Sequence, residues 1–223
     1  MLAARFHRAF TLVEMLLVVA IIVLLIGMLL PSLRSSRDMA KRTVCQSNQH
    51  QVYQASADYT VTNQGRFPPR THAWSHYHVA NRENGADTVR MGFKLLVDER
   101  VLADQSPLFC PSDPWWSAQK HWPDLAFGAT WKPYLSSYAQ REILITADHF
   151  RTSNVRPQWA YTADWFTTAI PALPHAAAHV TGWNVSYFDG AAAWRERTAD
   201  NWAAISWSHD YTAQAVTWRN FDK

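Results

Sequence analysis

Phe10 to Leu30 forms one apolar run of 21 residues whose only polar side chains are Thr11 and Glu14. As a helix rising about 1.5 Å per residue it would cover roughly 32 Å, close to the ~30 Å hydrocarbon core of a bilayer. A cleaved secretory signal has a shorter apolar core followed by a small-x-small site. Here "IGMLLPSLRSS" follows. The first cysteine is Cys45, too far downstream for a lipoprotein signal. The run therefore reads as a retained anchor, cut on its N-terminal side or not at all. Arg5 and Arg8 precede it, and Arg34, Arg37, Lys41 and Arg42 follow. A bare lysine and arginine count would put the C-terminal side in the cytoplasm.

Glu14 is the anomaly. A carboxylate at the centre of a membrane helix costs about 2.5–3.5 kcal/mol on insertion scales. Near one interface it costs less, yet Val or Leu would insert better. Its benefit is expected in a state other than the lone inserted chain.

Residues 9–14 read A-F-T-L-V-E behind a short basic leader. This resembles the prepilin cleavage and methylation signal of type IV pilins and type II secretion pseudopilins. The resemblance implies a cut between Ala9 and Phe10, N-methylation of the Phe10 amine, and Glu14 as fifth residue of the mature chain. Ala9 stands where the family usually has Gly. The implied partners are a prepilin peptidase/N-methyltransferase, other pseudopilin subunits in a homo- or hetero-filament, and inner-membrane lipid. The implied location is the bacterial inner membrane, single-pass, with the C-terminal domain extracytoplasmic. Glu14 would pair with the Phe10 amine of a neighbouring subunit and fix the register between chains.

Four segments follow from this reading: a leader at 1–9, a transmembrane half-helix at 10–30, an amphipathic half-helix at 31–62, and a pilin-like domain at 63–223. Leu33, Ala40, Val44, Val52, Ala55 and Tyr59 fall on one helical stripe, with Gln46 and Gln49 elsewhere. One helix is expected from Phe10 to about Val61, with Pro31 as a bend point. "TNQGRFPPR" at 62–70 carries the helix breakers. A further helix is expected at 89–102. Strands are expected at 107–116 (running into a turn), 133–140, 158–164, 183–189 and 191–197. "SYFDGAAAW" is a hairpin signal with the turn at Asp189-Gly190. The fold class is α+β, with a long N-terminal helix packed against a small antiparallel sheet.

The resemblance extends to a large bacterial group of pseudopilin-like proteins through "FCPSD" and through His179, nine residues, then Asp189-Gly190. No chemistry is assigned to that signature. His179 is expected to pack on the hairpin and bond to backbone or to Asp189. Cys45 on the helix and Cys110 at the "CPSD" turn can meet if the sheet covers the helix. An oxidising compartment would then join them. The alternative is two buried free thiols.

The remaining chemistry is thin. His72, His76 and His78 offer an i, i+4 pair with no third ligand or water-activating Glu visible nearby, and His175 and His179 follow Pro174 outside helical spacing. Asp200 and Asp210 are too isolated for a calcium cage. Asp148 beside His149 has no nucleophile elbow, and no glycine-rich phosphate loop occurs. No cofactor, metal or catalytic site is expected, and the chain does not read as an enzyme. A formal charge of +3, concentrated near the anchor, favours lipid headgroups over nucleic acid. Twelve tryptophans read as core or as a surface row, with one of the adjacent Trp115 and Trp116 exposed. The expected function is a structural subunit of a type II secretion or type IV pilus-like assembly. The alternative is an anchored extracytoplasmic domain that binds glycan or protein and never polymerises.

Overall fold

The computed structural model describes residues 10–69, 78–83, 86–89, 92–113, 134–135, 137–141, 151–164, 179, 181–198 and 218–223. The fold is α+β: a long N-terminal helix, α1 (Leu12–Thr62), followed by short antiparallel strands. The chain divides into two compact units, 1–40 and 41–223.

In the first unit, α1 runs unbroken through Pro31. Proline there removes one N–H from the helical ladder. The described residues of this unit are exposed along their whole length. Among the described residues, α1 is the one helix long and apolar enough to cross a membrane.

In the second unit the last turns of α1 are buried. Cys45, Gln49, Val52, Ala55, Ser56, Tyr59 and Thr60 are covered. Positions 45, 49, 52, 56 and 59 repeat at alternating steps of four and three, one stripe of an α-helix. This corrects the expected stripe. Val44 is exposed, whereas Gln49 is fully buried. The buried face therefore mixes polar and apolar residues, because Gln49 and Ser56 have partners in the sheet and Thr60 bonds to the Ala57 carbonyl of its own helix. Where α1 ends, Gln64 (φ 56°) and Gly65 (φ 76°) enter the left-handed region, and the Gly65 N–H reaches back to the Thr60 carbonyl at 2.8 Å. That six-to-one bond satisfies a terminal carbonyl in the manner of a Schellman cap.

The strands form two sheets. β1 (His78–Glu83), β2 (Ala86–Val89) and β3 (Tyr134–Leu135) make a three-stranded sheet in the order β2-β1-β3. β4 (Tyr138–Gln140), β5 (Ala160–Asp164), β6 (Gly182–Tyr187) and β7 (Ala192–Glu196) make a four-stranded antiparallel sheet in chain order. β5 and β6 are buried at every position. The expected strand at 133–140 is split between the two sheets. The expected strand at 107–116 is not formed at its start. Pro107 lies in a 3₁₀ turn, Ser106–Leu108, and the turn after it closes with the Asp113 N–H on the Cys110 carbonyl at 3.0 Å. Proline suits the first turn of such a helix and cannot donate within a ladder. The expected helix at 89–102 shrinks to α2 (Lys94–Asp98), because β2 takes its first residue and Arg100 turns at φ 58°.

Two cores result. Phe67, Phe93, Tyr161 and Phe188 pack with Val52, Ala55, Leu96 and Leu108 in one. Trp183, Tyr187, Trp218 and Phe221 form the other. Trp183 and Trp218 thus belong to the interior rather than to a surface row. Trp115, Trp116, His72, His76, Asp148, His149, His175, Asp200 and Asp210 lie outside the described residues.

Candidate functional site

Two places carry the sequence features singled out above: the N-terminal end of α1, and the joint between its buried half and the four-stranded sheet. At the first, Leu12 begins the helix, so Thr11 is its N-cap and Glu14 its third residue. Glu14 Oε2 accepts from the Thr11 N–H at 2.9 Å and from the Thr11 hydroxyl at 2.7 Å. The Glu14 N–H donates back to Thr11 Oγ1 at 3.3 Å. Helix starts leave N–H groups without intrahelical partners, and this reciprocal pairing is a capping box. T-L-V-E carries the Thr-x-x-Glu signature for it. Phe10, just before the cap, is exposed.

At the second place, Cys45 of α1 and Cys110 form a disulfide with their Cα atoms 5.3 Å apart. One helical turn on, Gln49 Nε2 donates to Asp164 Oδ1 and to the Asn184 carbonyl, each at 3.0 Å. Its Oε1 accepts from Thr162 Oγ1 at 3.2 Å. Asp164 is fully buried. Its Oδ2 accepts from the Asn184 backbone N–H at 2.6 Å and from Asn184 Nδ2 at 2.9 Å. Burial pushes the Asp164 carboxyl up to about 7, against the pull of its bonds from Asn184 and Gln49.

His179 completes this cluster. Its Nε2 lies 3.5 Å from Cys110 Sγ, 3.2 Å from Asn184 Nδ2 and 3.6 Å from Asp164 Oδ2. The carboxylate beside His179 is therefore Asp164 rather than Asp189. Strand geometry explains the difference. Asp189 sits in the hairpin loop at the far end of β6, where it accepts from the Ala191 N–H at 2.9 Å and from Lys223 Nζ at 2.6 Å. One ring nitrogen of His179 faces both sulfur and carboxylate, so Cys110, His179 and Asp164 lack the relay of a nucleophile triad, which uses both ring nitrogens. Cys110 is in any case oxidised.

The hairpin loop docks on the same helix. The Gly190 N–H donates to the Tyr187 carbonyl at 3.0 Å, and the Tyr187 N–H to the Ala191 carbonyl at 2.9 Å. The loop is thus the three residues 188–190, a turn centred on Phe188-Asp189 with Gly190 following at φ 83°. Tyr53 donates its hydroxyl to the Phe188 carbonyl at 2.6 Å, and His50 Nδ1 meets the Gly190 carbonyl at 2.8 Å. Further along, the Tyr161 hydroxyl donates to Ser56 Oγ at 2.8 Å. At the start of the unit Arg42 donates to Thr181 Oγ1 at 2.7 Å and stacks on Trp194. The disulfide ties the helix to the turn after the 3₁₀ segment, and a line of directed hydrogen bonds ties it to the sheet.

Residues 5–30 match the prokaryotic N-terminal methylation motif. The match covers Phe10, Thr11 and Glu14 and most of the exposed half of α1. No curated protein and no solved structure matches the chain. The motif implies processing by a prepilin peptidase and assembly with pilin-like subunits, and with the apolar helix it indicates membrane anchoring.

Proposed function

We propose that this chain is a structural, non-enzymatic, pseudopilin-like subunit of a type II secretion or type IV pilus-like assembly. Prepilin peptidase cuts between Ala9 and Phe10 and the new amine is methylated. The subunit sits in the bacterial inner membrane with its domain outside the cytoplasm, then enters a filament through the apolar half of α1. The observation that carries this reading is the methylation motif over 5–30, laid on a helix start whose cap contains Glu14.

Cleavage would place a positive amine one residue before the Thr11 cap. Both the amine and Glu14 are then charged groups that a packed, water-poor helix bundle penalises when unpaired. Pairing Glu14 of one subunit with the Phe10 amine of its neighbour relieves both and sets the axial register. The signature from His179 to Asp189-Gly190 has a structural part in this account. Its ends lie at either side of β6, one against the disulfide and one against Tyr53, so it anchors the sheet to the helix. The test is fractionation. Mature protein should appear in sheared filaments when the assembly genes are expressed. Protein confined to membranes under those conditions would contradict polymerisation.

A further inference from the structure

The four side chains Cys45, Cys110, Asp164 and His179 are all buried, and one donor atom from each lies within 4.8 Å of the others. The disulfide uses two of the four. The other two play no part in it.

We propose that, when the Cys45–Cys110 bridge is reduced, these four residues form a tetrahedral zinc site. Zinc takes thiolate sulfur at about 2.3 Å, imidazole nitrogen at about 2.0–2.1 Å and carboxylate oxygen at about 2.0–2.2 Å. At tetrahedral angles these lengths put sulfur and nitrogen about 3.6 Å apart, and nitrogen and oxygen about 3.4 Å apart. Cys110 Sγ and His179 Nε2 are 3.5 Å apart, and His179 Nε2 and Asp164 Oδ2 are 3.6 Å apart. Two edges of the tetrahedron are already near their final length. The sulfurs, freed from their bond, separate to about 3.8 Å by the same geometry.

The surroundings hold the ligands in place. The Asn184 amide nitrogen faces both Asp164 Oδ2 and His179 Nε2. An amide N–H₂ only donates, so Nε2 is the unprotonated ring nitrogen, and zinc would take the lone pair that now accepts from Asn184. Gln49 donates to the other carboxylate oxygen, Oδ1, and the Asn184 N–H to Oδ2 itself. Such outer hydrogen bonds orient metal ligands. Two thiolates and a carboxylate around Zn²⁺ leave one net negative charge, which these amide donors face.

The chemistry balances with a water-soluble phosphine as reductant. The phosphine and one water become phosphine oxide, and the disulfide takes two electrons and two protons to give two thiols. Zn²⁺ then displaces both thiol protons. Disulfide and metal are thus alternative staples across one helix–sheet joint, the metal one open to the chain before oxidation.

The experiment uses the full chain in detergent micelles, reduced with the phosphine and titrated with Co²⁺. One equivalent should produce the intense visible absorption of tetrahedral cobalt thiolate, bleached by Zn²⁺ and absent from the oxidised chain. His179→Ala and Asp164→Ala should each weaken cobalt binding by at least about tenfold, the scale seen on loss of even an outer-shell partner. Zn²⁺ should raise the melting temperature of the reduced chain, a readout that registers binding whether or not reduction loosens the fold. Absence of the absorption, titration unchanged in both variants, or a melting temperature indifferent to Zn²⁺ would each overturn the site.

Discussion

Glu14 Oε2 accepts hydrogen bonds from both the backbone N–H and the hydroxyl of Thr11, closing the first turn of α1. The carboxylate is therefore useful to the lone chain as well as to a filament. A capping residue is worth about 0.5–2 kcal/mol of helix stability. Glutamine at the third helical position completes the same box without charge. This separates the two roles. Breaking a buried ion pair costs about 3–5 kcal/mol, so losing the charge should cut assembly by well over about tenfold. Glu14→Gln and Glu14→Val should both insert and be cleaved, and both should be depleted from sheared filaments. Wild-type incorporation of Glu14→Gln would show that capping alone suffices and that no pairing with the Phe10 amine sets the register.

The disulfide closes a loop across a sequence separation of 65. In the chain-entropy treatment such a loop is worth about 4 kcal/mol. The double variant Cys45→Ser, Cys110→Ser should shift the urea midpoint of the domain downward by that much stability. Two thiols labelled in unreduced, denatured protein, or an unmoved midpoint, would refute the bridge as a staple.

Gly190 lies at φ 83°, and a Cβ there would stand 2.9 Å from Tyr53 Cε1. The left-handed region alone costs an L-residue roughly 1–2 kcal/mol. Gly190→Val adds a collision with the ring that ties the loop to α1, so it should lower the melting temperature and the yield of folded protein. A melting curve that superimposes on the parent would mean that the loop does not bear on the helix.

Gln49→Leu is the counterintuitive case. On an exposed amphipathic helix this change would be neutral. Here it strips Asp164 Oδ1 and Thr162 Oγ1 of a partner in the interior. Thr162 Oγ1 keeps its bond with Ser186 Oγ, so the cost falls on the carboxylate, and a buried polar group left short of a partner costs about 1–3 kcal/mol. Chemical denaturation should show a loss in that range. A neutral or stabilising outcome would place Gln49 at the surface.

What was legible from sequence divides along the same lines. The anchor, the helix end at the Asn63–Gly65 breakers and the hairpin are encoded locally, by a long apolar run and by turn residues, although the turn is centred on Phe188-Asp189 rather than on Asp189-Gly190. The joint is not. Gln49 looks like a solvent residue because its partners Asp164 and Asn184 lie more than a hundred positions away. Only tertiary structure shows that they form one polar cluster. Sequence proximity points His179 to Asp189 rather than to Asp164 for the same reason, since two residues at opposite ends of a strand are close in sequence and far apart in space. The Thr11–Glu14 box is legible as Thr-x-x-Glu, although inside a membrane run its carboxylate stands out as a charge before its spacing does. Short strands such as Tyr134–Leu135 and Tyr138–Gln140 lie too close together for periodicity to show that they pair in different sheets.

The processing of the N-terminus bears most directly on the whole account. A leader cut at Ala9 frees the amine that Glu14 is proposed to meet, and Ala9→Lys should block that cut by removing the small side chain before it. The decisive measurement is intact-protein and N-terminal peptide mass spectrometry of native protein extracted from membranes. The account predicts a chain that begins at Phe10 and carries one methyl group on its amine. A mature chain that still begins at Met1 would contradict it.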